Sequence, residues 1–160
     1  MAEFKTNVMR ILDQKKIKYT PHEFDTSDGK LDGATAAARI GKTPEEVFKT
    51  LVTTGSKGGN YVFVIPVCCE LDLKKAAKAV GEKSIAMIKQ DKLLPTTGYV
   101  HGGCSPVGMK KQFTTVFHSS VESLNTVTVS AGKIGHQIEV APGDLIALVR
   151  GKTADITVEE

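Results

Sequence analysis

Few side chains in this sequence sit where they could do chemistry, and their spacing narrows what that chemistry can be. From Gly98 to Lys111 the chain reads GYVHGGCSPVGMKK, with four glycines, one proline and two closing lysines in fourteen residues. Glycines admit positive φ and let a ligand approach the backbone. Pro106 sets its own φ and pushes Ser105 out of the helical region. A stiff loop rich in backbone N–H groups suits an anionic or carbonyl-bearing ligand; a plain glycine-rich connection fits the spacing equally well. Two nucleotide motifs are excluded. Gly108 is followed by Met109 rather than by the Lys-Ser/Thr of a P-loop, and G-x-G-x-x-G is missing.

Lys49 lies in the apolar and threonine run 48–53, where alternation sets it on the face opposite Phe48 and Thr50. Lysines in such places usually face solvent. Cys104 with His101 is a candidate thiol–imidazole pair, and with Cys68 and Cys69 a candidate soft metal site. Buried packing cysteines are the plainer account. Zinc sites favour C-x-x-C pairs, and adjacent Cys68 and Cys69 on a strand would point to opposite faces. His22, His118 and His136 have no acid or serine at triad-like spacing. Asp144 follows Pro142-Gly143 at an expected helix start, where a carboxylate caps free amides. The residues supply a loop, a lysine and an acid. They supply no recognisable activated nucleophile.

The 160-residue chain has the length of one domain, 1–160, with ordinary hydrophobic content (41%) and charge (24%). It contains no apolar run of membrane-span length, and MAEFKTNVMR lacks the apolar core of a signal peptide. Three cysteines, two of them adjacent, suit a reducing compartment, so a cytoplasmic location without membrane contact is expected. A net charge of +3, carried mostly by lysine, tolerates an RNA partner. Lysine favours phosphate contacts over reading of bases.

Apolar periodicity and stop signals predict the elements that must position these residues. Helices are expected at 6–16 (capped by Thr6 or Asn7), 34–40 (ending at Gly41), 74–80 (ending at Gly81), 90–94 and about 141–148. Thr43-Pro44-Glu45-Glu46 has the form of a capping box, so a short helix should follow it. The lysines of 74–80 are expected on a solvated face. Strands are expected at 19–24, 48–53, 61–67, 84–88, 114–118, 126–130 and 137–140, with Tyr99-Val100 as a strand entering the glycine loop. Ser119 with Glu122 should cap one helical turn, 131–135 should turn, and 154–158 should form a last short strand or terminal piece. This α/β (α+β) mixture has no strict βαβ rhythm. It favours a mixed, barrel-like sheet surrounded by short helices.

Five segments, taken in order, resemble the YbaK/EbsC family. They are Val47-Phe48-Lys49-Thr50-Leu51, Leu71-Asp72-Leu73-Lys74-Lys75-Ala76-Ala77, the run from Thr97 through Gly102-Gly103-Cys104-Ser105-Pro106-Val107-Gly108, Val129-Ser130-Ala131-Gly132-Lys133, and Pro142-Gly143-Asp144-Leu145. The likeness covers almost the whole chain, and G-G-x-S-P-x-G behind an upstream F/Y-K-T-L is its most specific part. The resemblance implies a bacterial aminoacyl-tRNA deacylase related to the editing domain of prolyl-tRNA synthetase, with the YbaK branch, which clears cysteine from proline tRNA, as the nearest type. It further implies catalytic roles for Lys49, Gly102, Gly103 and Ser105, and substrate contacts at Phe24, Ser130, Asp144 and Pro106. Phe24 stands where members can carry a tyrosine and brings no hydroxyl. Cys104 occupies a variable position. No metal or cofactor is implied; the implied partners are the acceptor end of aminoacylated proline tRNA and, as a candidate, prolyl-tRNA synthetase. In that branch the substrate's own thiol attacks its ester, which accords with the missing nucleophile. An alanine-clearing deacylase and a non-catalytic RNA- or synthetase-binding module are the alternatives.

Overall fold

The structure is a computed structural model that describes residues 4–30 and 32–159. Strands β1 (Tyr19–Glu23), β6 (Val127–Lys133) and β7 (His136–Val140) form an antiparallel sheet in the order β1-β7-β6. A second sheet joins β2 (Phe48–Gly55), β3 (Asn60–Pro66), β4 (Ile85–Met87), β5 (Thr114–His118) and β8 (Lys152–Ala154) in the order β4-β2-β3-β5-β8. Its β4-β2-β3 part is antiparallel, whereas β5 and β8 are added in parallel. The helices are α1 (Asn7–Gln14), α2 (Gly33–Arg39), α3 (Leu73–Val80), α4 (Gln90–Thr97) and α5 (Pro142–Leu148).

Alternation along β3 separates two cores. Val62 and Val64 join a large cluster with Phe48, Val52, Val129 and Ile138, which α1 covers through Val8, Met9 and Leu12. Phe63 and Ile65 join a smaller one with Ala76 and Ala77 of α3. Thr6 caps α1, its Oγ1 accepting from the Met9 N–H at 3.2 Å. Asp72 caps α3 by accepting from the Lys74 and Lys75 N–H groups at 3.0 Å, and Gly81 ends that helix at φ +74.

The mixed α/β architecture agrees with the expectation, but the two sheets do not close into a barrel. They meet at one parallel bridge, Val47–Thr128, where the Thr128 N–H donates to the Glu46 carbonyl at 3.0 Å. Six local expectations are corrected. The Glu46 carboxylate does accept from the Thr43 N–H, but the chain makes one turn and enters β2 at once, so no helix forms. Cys68 and Cys69 lie in the turn after β3, not on a strand. Tyr99 and Val100 lie outside the strands, because Gly98 (φ +88) ends α4 immediately before them. The strand of 126–130 runs on to Lys133 through a bulge, leaving only Ile134 and Gly135 in the turn. The last strand begins at Lys152. Lys75, expected in solvent, ties down the tail through Asp155 (3.1 Å) and the Thr157 carbonyl (3.0 Å). No helix among the described residues is long and apolar enough to cross a membrane.

Glu139 on β7 fastens several of these elements together. Its carboxylate accepts from Lys42 Nζ (2.8 Å) and from the Thr126 hydroxyl, and it pairs with His22 Nε2 of β1 at 2.8 Å. The Lys42 ammonium first, then the Thr126 hydroxyl, hold its pKa down to about 2 from 4.5. A depressed carboxylate pKa adds stability that is present above about pH 4.5 and is lost as the pH falls towards 2. Glu139→Gln should therefore be less stable than the parent by about 1–3 kcal/mol at neutral pH, with the difference shrinking by half or more at pH near 3. Urea unfolding at both pH values measures this; a difference independent of pH would refute it.

Candidate active site

The β2–β3 ladder decides which groups of β2 remain available. The Val67 N–H donates to the Val47 carbonyl and the Gly55 N–H to the Gly59 carbonyl, both at 2.8 Å. Odd-numbered residues of β2 therefore turn their amides and carbonyls towards β3, and even-numbered ones turn away from it. On that outer side the Val52 carbonyl accepts from the Ile88 N–H at 3.0 Å, and Thr54 lies opposite Ala86 of β4. At the other end the Val47–Thr128 bridge occupies the edge. Between these points no strand of the described residues runs beside Thr50. Its backbone N–H and C=O face an open gap.

A cavity of about 350 Å³ fills this gap. Its walls are Phe48 to Val52 of β2, Asp32 capping α2 with Gly33 and Ala36 of that helix, Met87, Ile88, Gln90 and Leu93 where β4 passes into α4, His101, Gly102 and Cys104 of the glycine loop, Ser130 and Gln137 from the other sheet, and Phe24 just past β1. Gly33 lets α2 press close, since a Cβ there would lie 2.5 Å from Val67 Cγ1. Ser130 and Gln137 are direct cross-strand partners. The Ser130 hydroxyl accepts from the Gly132 N–H at 3.1 Å, which leaves its own proton free to donate. Lys49 is half-buried and has no hydrogen bond or ion pair among the described residues, so its charge is available to a ligand. Two buried side-chain oxygens also lack partners among those residues, Thr50 Oγ1 and Gln137 Oε1. An unpaired buried polar group costs roughly 1–3 kcal/mol, so a concentration of them in one cavity calls for a ligand or water.

The residues singled out from sequence divide into three groups. Lys49, Gly102, Phe24 and Ser130 line the cavity. Gly103, Ser105 and Pro106 are buried behind it and shape the loop. The Gly103 N–H is spent on the Val100 carbonyl (3.0 Å), and a Cβ at Gly103 would sit 3.2 Å from the Ile134 nitrogen. The Ser105 hydroxyl accepts from the Val107 N–H at 3.2 Å. Asp144 is exposed in the first turn of α5, makes no capping hydrogen bond and is not among the lining residues. Sequence reasoning finds the helix at α2 but misses its place in the cavity wall, and it misses Thr50 and Gln137 there.

No hydrogen bond joins Cys104 to His101 among the described residues, and burial raises the Cys104 thiol to a pKa of about 12. A thiol that weakly acidic supplies almost no thiolate at neutral pH. Cys104→Ala should therefore keep turnover within a few-fold of the parent, and alkylation at pH 8 should mark exposed Cys68 before Cys104. A covalent acyl adduct on Cys104 would contradict this.

An open strand edge, a lysine without a hydrogen-bond or ion-pair partner among the described residues and a glycine loop thus meet around one small cavity. The chain belongs to the aminoacyl-tRNA editing domain family, whose pattern it matches over residues 31–148. It is 47% identical over 156 residues to an Enterococcus faecalis protein provisionally named Cys-tRNA(Pro)/Cys-tRNA(Cys) deacylase EbsC, covering 98% of this chain and 95% of that one. Its fold is similar to the crystal structure of a hypothetical protein, APE2540 (TM-score 0.86, 22% identity, 96% of this chain and 100% of that one). It is also similar to a crystal structure described provisionally as a trans-editing enzyme for prolyl-tRNA synthetase (TM-score 0.82, 23% identity, 98% of this chain and 100% of that one). The family likeness of the sequence is borne out, and so is the mixed α/β fold.

Proposed function

We infer that this protein is a trans-acting aminoacyl-tRNA deacylase that removes cysteine from mischarged proline tRNA in the cytoplasm. One observation carries the reading: the near full-length relationship to the Enterococcus faecalis protein named for that activity. The span that defines the family, 31–148, also contains every cavity-lining residue except Phe24.

The chain's own residues bind and orient; the substrate supplies the nucleophile. Its thiol attacks the ester carbonyl, a C–S bond forms and the ester C–O bond breaks. The terminal ribose hydroxyl of the tRNA leaves with the thiol's proton, and water opens the resulting thiolactone. Lys49 grips the terminal phosphate or ribose. The open edge of β2 at Thr50, with the Gly102 backbone that lines the cavity, receives the developing oxyanion. Ser130 donates its free proton to the substrate, and Phe24 packs beside it. Gly103, Ser105 and Pro106 act by holding the loop. A net charge of only +3 gives weak RNA affinity of its own, which makes prolyl-tRNA synthetase a fitting partner for delivery.

Deacylation of proline tRNA charged with cysteine, alanine or serine tests the reading. Cysteine should be cleared fastest. Faster clearance of alanine would move the protein to the alanine branch, and clearance of none would leave a binding module.

A further inference from the structure

The deacylase reading does not account for the two orphaned oxygens. Thr50 Oγ1 and Gln137 Oε1 are shielded from solvent, lack hydrogen-bond partners among the described residues and belong to side chains that line the same cavity. Thr50 also offers its carbonyl and N–H at the open edge of β2, where pairing stops between the Val47–Thr128 bridge and the Val52–Ile88 hydrogen bond. Gln137 reaches the cavity from the other sheet, opposite Ser130 and two residues beyond the level of Thr128.

Resting on that reading, we propose that Thr50 and Gln137 form the receptor for the free α-amino group of the aminoacyl ester. Hydrogen-bond capacity matches group by group. A carboxamide oxygen and a backbone carbonyl can only accept, and a hydroxyl oxygen can accept as well. Together they offer three acceptors, as many as an α-ammonium has protons to donate. The remaining group, the Thr50 N–H, is a donor and takes the ester carbonyl oxygen. The aminoacyl unit then sits against β2 as a single added residue of strand, its amine and carbonyl paired with one residue of the edge. The terminal torsion of glutamine is soft and two-fold, so Gln137 can turn its oxygen towards the amine as the ligand enters.

Asp32, the carboxylate among the lining residues, is already engaged: it accepts from the N–H and hydroxyl of Thr35 at the start of α2. The receptor itself, Thr50 with Gln137, carries no charge. It selects by counting protons on nitrogen, and a nitrogen carrying an acyl group has only one to give. N-acylated aminoacyl-tRNA, and with it any tRNA bearing a peptide, should be refused.

Two stable ligands test this: 3′-cysteinylamido-3′-deoxyadenosine and its counterpart with hydrogen in place of the amine. Calorimetric binding to the parent protein should favour the amine-bearing ligand at least about 10-fold, the scale of a buried hydrogen bond to a charged group. Gln137→Met should remove most of that preference by weakening only the amine-bearing ligand, and Thr50→Val should reduce it. In parallel, the parent should deacylate Cys-tRNA at least about 10-fold faster than N-acetyl-Cys-tRNA. Equal affinity of the parent for both ligands overturns the proposal without help from any variant. So does a preference that survives intact in a folded Gln137→Met protein. If Cys-tRNA itself is left uncleaved and neither ligand binds, the deacylase reading falls and takes the receptor with it.

Discussion

Lys49→Ala is expected to lower Cys-tRNA deacylation at least ~10²-fold, the scale of losing one important electrostatic contact in a partly enclosed site. Its thermal unfolding should barely move. Both halves follow from the same observation: the ammonium has no partner among the described residues, so no internal contact is lost with it. Lys49→Arg should recover only part of the rate, because a planar fork does not replace a point charge. Full activity in a folded Lys49→Ala protein would remove Lys49 from the site.

A larger effect is expected when the substrate, not the protein, is altered. S-methylated Cys-tRNA should bind and yet be cleaved at no more than ~1% of the rate of Cys-tRNA in a single turnover, since the only attacking group held near the carbonyl has been blocked. The expectation draws on what lines the cavity. Cys104 is held protonated by burial, and the Ser105 hydroxyl lies behind the loop with its oxygen bonded to the Val107 amide. Serine esters should be slow because a hydroxyl is far less ionised than a thiol at neutral pH, and alanine esters because a methyl side chain has nothing to attack with. Equal rates for the free and methylated esters would mean that water or a protein group attacks.

Local signals made most of the elements legible in the sequence. Thr6, Asp72 and Gly81 announce the ends of α1 and α3, and the unbroken apolar run of 61–65 announces a strand buried on both faces. Signals failed where long-range pairing outweighed them. The Glu46 carboxylate does accept from the Thr43 N–H and hydroxyl, but the Glu46 carbonyl is taken by the Thr128 N–H of the other sheet, and the chain is drawn into β2. Of the site, the lysine and the loop were visible because their residue types are unusual for their positions. Thr50 and Gln137 were not, since their significance lies in which hydrogen bonds they lack, and that is a property of packing. Asp144 is the opposite case: its motif is conspicuous in the sequence, yet it lies exposed in the first turn of α5, outside the cavity lining.

The stretch of β2 left unpaired at Thr50 has a consequence for solubility. An exposed strand edge is a template on which another chain can add, and proteins usually blunt it with charge, proline or a covering element. This edge lies instead at the bottom of a recess of about 350 Å³, walled by α2, the start of α4 and the glycine loop. The recess admits something the size of an amino acid and excludes a polypeptide strand. Changes that loosen the wall, at Gly33 against Val67 or Gly103 against Ile134, would do more than spoil a pocket. They would uncover a sticky edge, so such variants should aggregate on mild heating before they lose their secondary structure.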